Sequence, residues 1–221
     1  ILWIGCADSR VPGEQVLSSR PGELFVHRNI ANIVSYNDVN LAAVVQYAVE
    51  HLKVQDIVVC GHYGCGGVKA ATEDPPHGLA DHWLEPIRRL SRAYAVDLSR
   101  QPDLEAQRDR LAEFNVVEGV RRVCETPILQ RAWTRGAKVR VHGLIYGLKD
   151  GLLRDLGLKL SSLDEAETLD REGQSGREIG AITQTISCAR TYSRSAANSS
   201  ATAIWWSSDG DGLTSSSPST T

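Results

Sequence analysis

A chain of 221 residues, 42% hydrophobic and 23% charged, has the composition of a globular protein with one ordinary domain and room for an extension. A formal charge of -3 and a pI near 6.1 leave no electrostatic footprint for nucleic acid or an anionic membrane. No apolar run reaches the roughly 18–20 residues that span a bilayer.

The five cysteines are scattered along a chain too long to be a small disulfide scaffold, so a reducing, cytoplasmic compartment is expected. The chain starts at Ile1, inside an apolar run, and contains no Met. An N-terminal segment, with any targeting signal, is therefore expected to be missing.

Leu2 to Gly5 is a short apolar run leading into the polar cluster Cys6 to Arg10 and then Pro12, the pattern of a buried strand entering a loop. Glu23 to Val26 is a second strand candidate. From Asn40 to Leu52, apolar residues at 41, 44, 45, 48, 49 and 52 repeat with helical spacing, and Asp38 is placed to cap that helix. Ile57 to Cys60 is a β-branched run suited to a strand buried on both faces. A loop rich in glycine (Gly61, Gly64, Gly66, Gly67) follows, and Val68 to Ala71 opens another helix.

Helical stretches are expected at Leu79–Ala95 and Leu104–Arg135, the second broken near Asn115 and at Pro127. Lys138 to Tyr146 alternates as a strand, and the turn at Asp150-Gly151 leads toward a last short strand. Strands alternating with helices predict an α/β fold with a mostly parallel central sheet flanked by helices. Beyond Leu160 the hydrophobic pattern weakens, and Ser and Thr dominate from Thr191. The expected division is a domain over 1–160 and a disordered extension over 161–221. The alternative for that tail is a partner-binding arm anchored by Trp205 and Trp206.

Sites in parallel sheets form where the carboxyl ends of strands meet the next loops. Cys6 and the pair His62-x-x-Cys65 both fall there, and together they supply two thiolates and an imidazole. Zinc favours that donor set, and a catalytic zinc keeps its fourth position open. The competing reading is two buried thiols and a hydrogen-bonded loop histidine. Asp8 and Arg10, two residues apart, can pair through carboxylate and guanidinium, which need be no more than a structural ion pair. Gly66 and Gly67 let backbone N–H groups approach the site, or simply make a tight turn. Cys60 reads as core. Cys124, Cys188 and the histidines at 27, 51, 77, 82 and 142 show no ligand spacing, although one of those histidines could shuttle protons.

Three segments together resemble the beta-class carbonic anhydrases: Cys6-Ala7-Asp8-Ser9-Arg10, Gly22 through Asn32, and Gly61-His62-Tyr63-Gly64-Cys65-Gly66-Gly67. The resemblance runs from Ile1 to about Leu160 and includes His142 to Tyr146. It implies reversible hydration of CO2 to bicarbonate and a proton, with Zn2+ on Cys6, His62 and Cys65, in a homo-dimer or homo-tetramer. It also implies a gate: Asp8 takes the fourth metal position when released by Arg10 and leaves it when the pair forms. Some members carry a regulatory bicarbonate pocket of Trp, Arg and Tyr. The matching positions expected here are Trp3, Arg28 and Tyr47, with bicarbonate as inhibitor. Two other functions remain open at this point: COS or CS2 hydrolysis on the same zinc, and a catalytically silent zinc-stabilised binding protein. Retention of both Asp8 and Arg10 argues against the silent protein.

Overall fold

A computed structural model describes residues 1–73, 78–174 and 184–186. Its centre is a six-stranded sheet in the order β2-β1-β3-β4-β5-β6. The strands are β1 (Leu2–Cys6), β2 (Phe25–Asn29), β3 (Asp56–His62), β4 (Arg140–Tyr146), β5 (Leu153–Leu160) and β6 (Gln184–Ile186). The first four in chain order are parallel to their neighbours, and β5 and β6 close one edge antiparallel. The mostly parallel α/β architecture expected from the alternation is the one observed.

Side-chain alternation assigns the two faces of the sheet. Leu2, Ile4, Ile57, Val59 and Val141 point to one face, where they join Leu41 and Val45 of α2 (Val39–Gln46) and Val116, Val120 and Val123 of α6 (Leu104–Glu125). Trp3, Val58, Cys60 and Leu144 point to the other, packed with Val16 and Leu17 at α1 (Gly13–Val16). Every residue of β3 is buried, and α4 (Leu79–Ala93) and α5 (Ala95–Ser99) bring Leu84, Ile87 and Leu98 to Leu111 and Phe114 of α6. A core side chain such as Ile57 contributes about 1.5–3 kcal/mol on this account.

Several local expectations shift. Strand β2 starts at Phe25 rather than Glu23, because its half-buried edge position gives it no continuous apolar run. Its pairing with β1, from Leu2 with Phe25 to Cys6 with Asn29, carries it on to Arg28 and Asn29. Asp38 caps α2 as expected, accepting from the Leu41 N–H at 3.1 Å, and a π-helical turn over Tyr47–His51 completes the segment. The expected break at Asn115 does not occur. That buried side chain donates to the Ala31 carbonyl at 2.7 Å, a long-range bond that offsets the poor helix propensity of Asn. The break at Pro127 is real, with Thr126 accepting from the Leu129 N–H to start α7 (Pro127–Thr134).

The stretch after Leu160 is helical over part of its described length and adds β6 to the sheet edge. Helix α8 (Leu163–Gln174) begins with the Ser162 hydroxyl accepting from the Glu165 N–H, while the Glu165 carboxylate accepts from the Ser161 N–H at 2.6 Å. Ala166 and Leu169 pack against the main core. Cys188, Trp205 and Trp206, and the disorder expected around them, lie outside the described residues, as does His77. Among the described residues no helix is long and apolar enough to cross a membrane.

Candidate metal centre

The sheet brings the sulfur- and nitrogen-bearing residues together by register. Cys6 ends β1 and His62 ends β3, and those strands are neighbours. The tight loop after His62 returns Cys65 to the same point before α3 (Gly66–Ala71) begins. One ligand atom from each of Cys6, His62 and Cys65 lies within 4.8 Å of the others, and all three residues are buried.

Two observations fit this set to zinc. The Cys6 and Cys65 sulfurs are 3.7 Å apart. Metal–sulfur bonds of about 2.3 Å in a tetrahedron give an edge of about 3.8 Å. The second is the state of His62. Its Nδ1 faces the Tyr63 carbonyl at 3.1 Å, and a carbonyl can only accept, so Nδ1 carries the proton. Nε2 is left buried, with no hydrogen-bond partner. An unsatisfied buried acceptor costs about 1–3 kcal/mol unless something binds it.

The surroundings favour thiolate. The Ala31 N–H donates to the Cys6 sulfur at 3.1 Å, and the Val68 and Gly67 N–H groups lie against Cys65. Between the two sulfurs one proton is shared: the hydrogen bond from Cys65 pulls the Cys6 thiol far below its ordinary pKa and pushes Cys65 up. A divalent cation bound there would hold both as thiolates.

Asp8 stands outside this cluster. Its Oδ1 accepts from Arg10 Nη2 at 3.0 Å and its Oδ2 from the Gly66 N–H at 2.7 Å, while Arg10 Nε donates to the Asp8 carbonyl at 2.8 Å. With both oxygens engaged in this way, the carboxylate is turned toward Arg10 and Gly66. Gly66 is required by this contact, since a Cβ there would sit 2.9 Å from Asp8 Oδ2. At Gly67 a Cβ would press on Ile30 and Ala31 at 2.9 and 3.0 Å, so that glycine admits the Ala31 backbone toward Cys6.

The expected anion pocket is assembled only in part. Trp3, Cys6, Ser9, Cys60, His62 and Tyr146 line a small cavity behind the metal cluster. Arg28 is not among its lining residues but is bonded to two that are, donating to the Cys6 carbonyl at 2.7 Å and to Ser9 Oγ at 2.8 Å. Tyr47 is not there. Its ring is half exposed and sits against Phe25 and His51, and Phe25 belongs to the sheet face opposite Trp3. The tyrosine of the cavity is Tyr146, at the carboxyl end of β4 and paired in register with His62. The strand-end rule that located Cys6 and His62 applies to Tyr146 equally well, so the sequence carried its signal.

Residues of α6 complete the surroundings without any local signature. Tyr63 donates its hydroxyl to Glu113 Oε1 at 2.6 Å, and the Gly64 N–H donates to Asp109 Oδ1 at 2.9 Å. Burial, reinforced by Glu113, raises the Tyr63 hydroxyl well above its ordinary pKa, so it stays a donor.

Comparison with known proteins agrees with this geometry. The carbonic anhydrase family matches residues 1–153. A carbonic anhydrase of Emericella nidulans is 45% identical over 157 residues, covering 71% of this chain and 69% of that protein. Among solved structures, a beta-carbonic anhydrase described as tetrameric, from Sordaria macrospora, superposes with a TM-score of 0.68 at 41% identity, covering 72% of this chain and 81% of the other. The Coccomyxa beta-carbonic anhydrase, solved with acetazolamide, gives 0.71 at 35% identity, covering 81% and 83%. With the family matched over most of its length and the cysteines and histidine gathered at the strand ends, this chain belongs to the carbonic anhydrases, in their beta class.

Proposed function

We propose that this chain catalyses the reversible hydration of CO2 to bicarbonate and a proton, with zinc held by Cys6 Sγ, His62 Nε2 and Cys65 Sγ. The observation that carries the reading is the buried, unpartnered His62 Nε2 beside two sulfurs 3.7 Å apart. Bound zinc supplies a Lewis acid that acidifies water near neutral pH. The residues do the rest. Ala31 N–H holds the Cys6 sulfur, and the Tyr63 carbonyl fixes the tautomer of His62. Asp8, drawn aside by Arg10 and Gly66, would leave a zinc held there accessible to water and substrate. Each of its oxygens keeps a lone pair that can accept a hydrogen bond from that water.

Arg10 holds the gate only weakly. The Arg10 side chain is 81% exposed, and exposed ion pairs are worth about 0–1 kcal/mol. Release of Arg10, together with loss of the Gly66 N–H bond to Oδ2, frees Asp8 to close the site. Inhibition by bicarbonate follows if the anion enters the cavity of Trp3 and Tyr146 and competes for Arg28, whose bonds to the Cys6 carbonyl and Ser9 Oγ support the loop that carries Asp8. A homo-dimer or homo-tetramer is proposed by analogy with the tetrameric Sordaria enzymes. Cys6 and Cys65 have to stay reduced to hold a metal, and a reducing, cytoplasmic setting is proposed with the function.

Zinc-loaded protein is expected to hydrate CO2 in stopped-flow assays between pH 6 and 9. No hydration anywhere in that range, with about one zinc per chain, would sink the proposal and leave COS or CS2 hydrolysis or a silent binding role.

A further inference from the structure

The Tyr63–Gly64 peptide group lies between His62 and helix α6, and both of its polar ends are used. Its carbonyl accepts from His62 Nδ1 at 3.1 Å. Its N–H, belonging to Gly64, donates to Asp109 Oδ1 at 2.9 Å. A planar trans peptide points its C=O and N–H in opposite directions, so the bonds form one line: carboxylate, peptide, imidazole. Gly64 follows at φ +67°, a conformation glycine adopts without strain. Glu113, one helical turn after Asp109, ties the Tyr63 ring to the same helix by accepting its hydroxyl at 2.6 Å. Its other oxygen is held by Arg110 at 2.6 Å.

Hydrogen bonds in series polarise one another. An anion at the N–H end of a peptide increases the negative charge on its oxygen, and so strengthens what that oxygen accepts. Histidines that bind metals commonly donate their second N–H to a carboxylate or a carbonyl, which orients the ring and raises its basicity. Here the acceptor is a carbonyl backed by a carboxylate. We propose that Asp109 is a positioning residue for the metal centre, acting on His62 through the Tyr63–Gly64 peptide, with Glu113 anchoring the Tyr63 side chain to the same helix.

A neutral acceptor would satisfy the Gly64 N–H equally well, so the charge itself calls for a reason. Asp109 is half-buried. Burial raises its pKa, and the neighbouring Glu105 and Glu113 raise it further, against the Gly64 N–H and Lys149. An isosteric amide there would keep the acceptor and remove the charge.

The inference rests on the reading of Cys6, His62 and Cys65 as a metal site, and one experiment separates the two. Zinc affinity of the full chain is measured by competition with a chromophoric chelator, for the wild type, Asp109→Asn, Asp109→Ala and Glu105→Gln. Cobalt-loaded samples of each give visible spectra that report the ligand field. Asp109→Asn keeps the hydrogen bond and loses the charge, and it is expected to weaken zinc binding about tenfold, the lower end of what outer-sphere partners contribute. Asp109→Ala should weaken it further, and both should shift the cobalt bands. Glu105→Gln removes an equal charge from the same helix, at a side chain whose partner is Lys149. It should stay within twofold of wild type. Asp109→Asn binding within twofold of wild type, or an equal loss in Glu105→Gln, would overturn the role assigned to Asp109. A wild-type chain that binds no zinc would overturn the metal reading itself.

Discussion

His62 and His142 stand on neighbouring parallel strands, both more than nine-tenths buried, and the fold treats them differently. Toward the amino end of β4, His142 Nε2 meets Asp56 Oδ1 at 2.8 Å, and Arg140 meets the other carboxylate oxygen at 2.7 Å. At the carboxyl end of β3, His62 has its Nδ1 satisfied by a carbonyl and its Nε2 left without a protein partner. Burial of a polar group is tolerable when a partner accompanies it. The His142 cluster brings its partners from the same two strands. The His62 cluster is short of one, and two thiols converge where that partner would sit. The difference separates a structural polar cluster from a ligand site using hydrogen bonds alone.

Crossed substitutions test that contrast. The largest effect is expected from His62→Ala, which should abolish stoichiometric zinc binding and reduce CO2 hydration to background, because two thiolates alone do not complete a three-ligand site. Its urea midpoint, measured without zinc, should change little. His142→Ala should do the reverse. It leaves one Asp56 oxygen without its donor, a cost of about 1–3 kcal/mol visible as a lower urea midpoint, while zinc content stays near one per chain. If His142→Ala lost zinc as readily as His62→Ala, the contrast would fail.

A smaller effect sits in the acid limb. Burial alone would raise the Asp56 carboxyl, but hydrogen bonds from His142 and Arg140 and the nearby positive charge win, and hold it below its ordinary value. A carboxyl with a depressed folded pKa stabilises the fold fully above its unfolded pKa of about 3.9, and that stability is lost as pH falls through the folded value. Urea midpoints of wild type should therefore drop below about pH 4. In His142→Ala the part of that drop due to Asp56 should shrink, because one of the bonds holding the carboxyl down is gone.

The site was legible in the sequence to the extent that its chemistry is local. Cys6, His62 and Cys65 could be found because zinc demands particular donors and parallel sheets place loops at one edge. Asp8 and Arg10 could be paired because they are two residues apart. Tyr47 was misplaced for a physical reason: which face of the sheet a tyrosine reaches depends on strand register and helix packing. Tyr146, on a strand already recognised, turned out to line the cavity with Trp3. Asn115 looked like a helix breaker because its compensating bond goes to Ala31, 84 residues away. The bond from Gly64 to Asp109 spans 45 residues and had no pattern to betray it. Helix α8 was hidden differently: Ser162-x-x-Glu165 is a capping signature in plain view, overlooked where composition had already turned polar.

The most direct test of the metal centre is the coordination shell of zinc in the loaded full-length chain, read by X-ray absorption. Two sulfurs at about 2.3 Å with one imidazole nitrogen at about 2.0–2.1 Å are expected, the remaining position being oxygen. A shell with no sulfur, or with four, would contradict the assignment of Cys6, His62 and Cys65.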